Sequence, residues 1–231
     1  SLLMKPLVYI IAAQQEELDG FFQGLEAKQD GETVLYEGEN YLVRGFFGGI
    51  GKVSISYRLG KMIQKERPDR IINIGVAGSI NTDLKAFDIL LATNGCYHDV
   101  DCTAFGYEYG QMCQMPLYFP CDMELLTVSQ ENIHDEHVKY GLILSGDSFI
   151  TKENCKSEFF DKFLNPYAVD MESAAVLQCA LIEKIPCNII RAISDDATSE
   201  ENKEHYEFAL QDASIKAGKL AHQLLDLLYT K

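Results

Sequence analysis

The sequence predicts an α/β protein, a single domain in which a central mixed, mostly parallel, twisted β-sheet is flanked by helices. Strand-like apolar runs alternate with segments of helical period along the chain, the pattern that places helices on the faces of a sheet. Its 231 residues are ordinary for one α/β domain. No internal repeat, low-complexity tract or linker divides them. The domain is expected over residues 4–229, with Ser1, Leu2 and Leu3 read as a remnant ahead of Met4.

Leu7–Ala12 is apolar throughout and reads as a buried first strand. It runs directly into "QQEELDGFFQGL", where Leu18, Phe21, Phe22 and Leu25 recur at helical spacing. "ETVLYEG" and "NYLVRGFFGGI" predict a hairpin pair whose ends are marked by Gly and Asn. "KVSISYRLGKMIQKE" has helical period and is expected to stop at Arg67-Pro68. "DRIINIGVAGSI" reads as a buried strand entering a glycine-bearing turn, and "FDILLATNGCYH" as another strand. From Asp99 to Met123 the period is lost, and Phe105, Tyr107, Tyr109, Tyr118 and Phe119 make an aromatic surface expected to be covered. Beyond it, "YGLILSGDSFI" predicts a strand, "SEFFDKFL" a short helix, "MESAAVLQCALIEK" a helix and "CNIIRAIS" a strand. Glu200–Tyr229 is expected to be mainly one long helix.

A formal net charge of −15 repels nucleic-acid backbones and anionic membranes, so a small neutral or cationic ligand fits better. Seven cysteines, odd in number and never spaced C-x-x-C, argue against a disulfide framework or zinc ribbon and for a reducing cytosol. Apolar runs are interrupted short of the roughly 20 residues that a bilayer span needs. "SLLMKPLVYIIAA" has one Lys and no cleavage context for a signal peptide.

"FFGGIGKVS" fails as a phosphate loop, since Phe46 stands where the first Gly is required and Val53 where Ser or Thr must follow Lys52. Its glycines still permit close backbone approach to a ligand. "GVAGS" is half a dinucleotide fingerprint without its downstream acid, so no nicotinamide cofactor is expected. "YHDVD" and "HDEH" lack a convergent ligand set, and no metal is expected.

"AVDMESAAVLQCALIEKIPCNIIRAISDDA" differs, because carboxylates open and close its apolar helix and strand. Taken singly, Glu172 reads as a first-turn carboxylate favoured by the helix dipole by about 0.3–1 kcal/mol, and Asp195 and Asp196 as caps. With Arg191 and Ser194 they converge at the ends of neighbouring elements, and capping alone becomes a poor account.

"VDMESAAV", "RAISDDA", "NIGVAGSI", "TAFGYEYGQ" and "SGDSFI", in their order and spacing, resemble the motifs of the 5′-methylthioadenosine/S-adenosylhomocysteine nucleosidases of the purine nucleoside phosphorylase-like superfamily. The resemblance runs from about Met4 to Tyr229. It implies a cytoplasmic, cofactor-free homodimer that hydrolyses adenine nucleosides. Asp195 matches the general acid at purine N7, Glu17 the residue that orients the hydrolytic water, and Arg191 the arginine beside that water. Glu172 matches the carboxylate that holds the ribose hydroxyls, with Met171 against the sugar. Phe149 matches the aromatic stacked on adenine, and the backbone of Ile150 the reader of the base edge. Phe208 matches a lid-like aromatic on the tail helix. Phe105 is implied to reach across a dimer interface to the 5′-alkylthio pocket, and Ser194, Val76, Ile50 and Tyr107 complete the implied substrate contacts.

These residue types suit cleavage of a C1′–N9 bond, which builds positive charge on the ribose and negative charge on the departing base. Asp196 is expected to raise the pKa of its neighbour by like-charge repulsion. Two positions depart from the family's pattern. Gln14 stands where Met is usual, with Gln15 replacing an acid, which bears on the 5′ pocket; Val76 replaces a frequent Ser, leaving Glu17 and Arg191 with more of the water's positioning. A phosphorylase of the same fold is the enzymatic rival, opposed by the Arg-free "AAQQEEL" and by Asn73 where related phosphorylases bear Arg. A non-catalytic nucleoside-binding homologue is the other, opposed by the joint presence of Glu17, Glu172, Arg191 and Asp195.

Overall fold

The computed structural model describes residues 4–230; the remnant read at residues 1–3 lies outside them. The first half alternates β1 (Leu7–Ala12), α1 (Gln15–Phe22), β2 (Lys28–Asp30), β3 (Thr33–Glu37), β4 (Leu42–Phe47), α2 (Lys52–Lys65) and β5 (Arg70–Ser79). The expected hairpin is β3 against β4, antiparallel, with the short β2 added outside it. After β6 (Ile89–Tyr97), the aromatic stretch holds only a 3-10 turn at Thr103–Phe105 and β7 (Phe119–Pro120). There follow α3 (Met123–Asn132), β8 (Val138–Ser145), α4 (Glu158–Asp161), β9 (Pro166–Asp170), α5 (Ser173–Glu183), β10 (Cys187–Asp196) and α6 (Asn202–Leu228).

The strands form one sheet in the order β10-β6-β8-β9-β5-β1-β4-β3-β2, and β10 also pairs with β5. Five strands therefore close into a ring, and β1, β4, β3 and β2 extend from it as an open wing. The expectation of a mostly parallel sheet is corrected here. β1 with β4 and β5, β10 with β5, and β8 with β6 and β9 are parallel, but five further pairings are antiparallel. The cause lies in two ten-residue strands that serve different neighbours at their two ends. β5 meets β1 at Arg70–Asn73 and β9 at Gly78–Ser79, while β10 runs along it with a bulge between Ile193 and Asp195. Such a bulge bends and twists a strand, which closure demands. The glycines of "GVAGS" consequently lie within β5, not in the turn expected for them.

Helices cover the sheet because their apolar faces match it. In α6, Ala209, Ala213, Ala217 and Ala221 fall four residues apart on one buried stripe. α1 crosses α6 backbone to backbone: a methyl group at Gly20 would collide with the Ser214 carbonyl, and one at Gly218 with the Gly20 backbone. That close crossing seats the first turn of α1 beyond the C-terminal end of β1 and against Gly75 and Val76 of β5. Among the described residues no helix is long and apolar enough to cross a membrane.

Candidate active site

At those strand ends lies a cavity of about 280 Å³, walled by Glu17 of α1, Val76 of β5, Phe149 and Ile150 of the loop after β8, Glu172 before α5, and Arg191 and Asp195 of β10. Open α/β sheets place their ligands at this edge.

Arg191 is 1% exposed and organises the floor. Its guanidinium donates to Asn73 Oδ1 at 2.6 Å and to the Val76 carbonyl at 2.8 Å. Carboxylate oxygens of Asp170, Glu172 and Glu17 lie 3.1, 3.4 and 3.7 Å from it. Burial works against its charge, and the three carboxylates more than offset this, so its pKa is raised. Arg191 pairs with Gly75 across the β10–β5 ladder. Gly75 has φ 156°, and a side chain there would occupy the place of the Glu17 carboxylate and come within 3.0 Å of the guanidinium.

Glu17 is fixed from two sides: Oε1 accepts from the Gln14 N–H at 3.2 Å and Oε2 from the Val76 N–H at 2.8 Å. Burial pushes its carboxyl up, against the lowering effects of Arg191 and those two amides. Glu172 occupies the N-cap position of α5 yet makes no side-chain cap. Its Oε2 accepts from the Gly51 N–H at 2.9 Å instead, and burial drives its pKa up to about 7 in spite of Arg191. The helix start is capped by Asp170, which accepts from the Ser173 N–H at 3.1 Å and from the Ser173 and Ser145 hydroxyls. The first-turn reading of Glu172 thus gives way to a cavity-facing one.

The two adjacent aspartates divide the roles considered for them. Asp196 is a turn cap, its Oδ1 accepting from the Thr198 N–H at 2.9 Å and hydroxyl at 2.6 Å. Asp195 caps nothing: Oδ1 accepts from the Ser194 hydroxyl at 2.7 Å and Oδ2 from the Asn202 amide at 3.1 Å. Its carboxyl is raised, chiefly by burial and with a smaller contribution from Asp196, while both donors pull the other way.

Ile50, Met171 and Ser194 also line the cavity. Three residues named from the resemblance do not. Phe208 is 85% exposed and borders a neighbouring cavity with Phe87 and His205. The helical period of α6 turns Asn202, Tyr206, Ala209 and Ala213 inward and Phe208 outward, so the aromatic at the cavity is Tyr206, whose hydroxyl accepts from the Gln14 amide at 2.7 Å and whose ring stands 5.6 Å from Phe149. Phe105 is 80% exposed on the aromatic stretch, and the Tyr107 hydroxyl accepts from the Gln114 N–H at 3.1 Å, both away from this chain's own cavity. Sequence reasoning missed Asp170, Tyr206 and Asn202. Only "VDMES" held a signal, since its first acid sits three residues before Ser173, the spacing of an N-terminal cap.

Residues 13–226 match the phosphorylase superfamily. A 5′-methylthioadenosine/S-adenosylhomocysteine nucleosidase of Exiguobacterium sp. (strain ATCC BAA-1283 / AT1b) is 38% identical over 225 residues, 92% of this chain and 94% of that protein. One from Staphylococcus carnosus (strain TM300) is 34% identical over 229 residues, 96% of this chain and all of that protein. Among solved structures, the Streptococcus pneumoniae nucleosidase with the transition-state inhibitor MT-ImmA superposes with a TM-score of 0.88 at 32% identity, covering 96% of this chain and 98% of that one. S-adenosylhomocysteine nucleosidase from Streptococcus pyogenes, in complex with 5-methylthiotubericidin, gives 0.89 at 30% identity, with 98% of both chains covered. Whole-length identity above 30%, the shared fold and a cavity built from the residues the motifs contain lead to one conclusion: this chain belongs to the phosphorylase superfamily and, within it, to the 5′-methylthioadenosine/S-adenosylhomocysteine nucleosidases.

Proposed function

We propose that the protein hydrolyses the N-glycosidic bond of 5′-methylthioadenosine and S-adenosylhomocysteine, releasing adenine and the corresponding thioribose, with Asp195 as general acid and Glu17 as the base that orients water. The observation that carries this reading is the shared cavity of a buried Asp195, its carboxyl raised chiefly by burial, with Glu17, Glu172 and Arg191. As the C1′–N9 bond breaks, its electron pair passes to the base while Asp195 gives its proton to N7. Water bonds to C1′ and yields a proton to Glu17, and adenine leaves neutral. Glu172 holds the ribose hydroxyls, and the carboxylates of the floor favour the cationic sugar of the transition state. Phe149 stacks on the base, Ile150 reads its edge, and Ile50, Met171, Val76 and Ser194 shape the remainder.

A phosphorylase needs cationic groups free to hold phosphate. Arg191 is the sole Lys or Arg lining the described cavity, and Asn73 and three carboxylates already engage it. Turnover in phosphate-free buffer, with free thioribose as product, is the expected result; ribose-1-phosphate-type products that depend on added phosphate would transfer the assignment to the phosphorylases.

The same reading makes the protein a cytosolic homodimer. Phe105, Val53, Tyr57 and Ile50 are large apolar side chains left exposed in the single chain, and Phe105 and Tyr107 complete the partner's pocket for the 5′ substituent. Sedimentation that finds a fully active monomer at assay concentration would refute this.

A further inference from the structure

Asn202 stands in "SEENKEH", a run of polar and charged residues at the start of α6, yet it is only 2% exposed. A buried carboxamide is costly unless its hydrogen bonds are met. Asn202 directs its Nδ2 to one place, donating to the Ile150 carbonyl at 2.8 Å and to Asp195 Oδ2 at 3.1 Å. Among the described residues no other side chain bonds both the Phe149–Ile150 segment and Asp195. Ser194 holds only Oδ1 of the acid, so without Asn202 the Oδ2 side of the carboxyl loses its side-chain tether. Asn202 does not itself line the cavity; it stands behind the two groups that do.

We infer that Asn202 is a positioning residue for the general acid, its carboxamide tying Asp195 to the Ile150 backbone so that acid and base-reading segment meet the purine edge in fixed register. This rests on the proposed acid role of Asp195. The physical need is plain: proton transfer demands hydrogen-bond reach, and misplacement by about 1 Å costs on the order of 10²-fold in rate. The link also ties the acid's register to the seat of α6, whose inner face is held one turn later by Tyr206 and Gln14.

Asn202→Leu removes both donors at similar volume. Expected is a fall in kcat of about 10- to 100-fold with KM changed less than about twofold. The alkaline limb of the kcat profile should move to higher pH, because a donor that favoured ionised Asp195 is gone. Asn202→Asp keeps the shape, so the same upward displacement of the limb there guards against mere misfolding. A double-mutant cycle isolates the route: if Asn202 acts through Asp195, Asn202→Leu adds no loss to Asp195→Asn. Additive losses, an unmoved limb, or a raised KM with unchanged kcat would each overturn the inference. Near-normal kcat in Asp195→Asn alone would instead remove the acid assignment on which it stands.

Discussion

Asp195 is raised by burial and faces a cavity, whereas Asp196 next to it is spent on a turn; one residue's difference in direction separates a cavity wall from a cap. Asp195→Asn keeps shape and loses the proton, so kcat on 5′-methylthioadenosine should fall by about 10² or more, with an unchanged melting temperature. Retained turnover with lost thermal stability would return Asp195 to a structural role. Glu172 carries a pH signature. Its pKa of about 7 lies above that of an unfolded Glu, so the folded protein holds a proton that the unfolded chain has released. That contribution is complete below the unfolded value, near pH 4.5, and is lost as pH climbs through 7. Glu172→Gln cannot ionise, so its urea midpoint should decline less between pH 5 and 8 than that of the parent protein. Equal declines would show that Glu172 titrates normally. At this scale the motifs made Glu17, Glu172, Arg191 and Asp195 legible. Asp170 and Asn202 were not, because each acts by bonding another side chain, and a partner distant in sequence leaves no local pattern.

Among elements, the crossing of α1 and α6 controls how Glu17 reaches Arg191. Gly218→Ala places a methyl against the Gly20 backbone, which cannot yield as a side chain would. Overpacking of this kind costs about 1–3 kcal/mol, and α1 must lift, carrying Glu17 off Val76. Thermal unfolding and kcat should therefore fall together, whereas Gly60→Ala, inside α2 with nothing near the added methyl, should leave kcat unchanged and raise thermal stability slightly, since Ala is favoured over Gly in a helix by about 0.5–1 kcal/mol. A normal kcat in Gly218→Ala would show that α1 does not position Glu17. Strands β1, β5, β6, β8 and β10 were readable as apolar runs, and α1 and α2 by their period. β9 escaped notice because its five residues, "PYAVD", are too short and mixed to show a period. The choice of Phe208 over Tyr206 failed for a different reason: motif spacing names an aromatic, and only the phase of the helix decides which one faces inward.

At the scale of the molecule, the strand content was legible and its closure was not. Pairing of β10 with both β5 and β6 joins residues about 100 positions apart, and no window of sequence records that. The ring gives its five strands neighbours on both sides over part of their length, whereas the wing ends at β2, whose Lys28, Gln29 and Asp30 are all exposed. Charged residues on an outer strand discourage another chain from adding there, but they do nothing to hold its own amides shut. Deuterium should thus enter in two stages. Amides of Lys28–Asp30 and of Thr33–Glu37 should exchange through local fraying, while those of Ile71–Gly75 and Ile189–Ile193 wait for global opening. The floor of the cavity would then be the last part of the protein to feel solvent as it loosens, and the edge farthest from it the first.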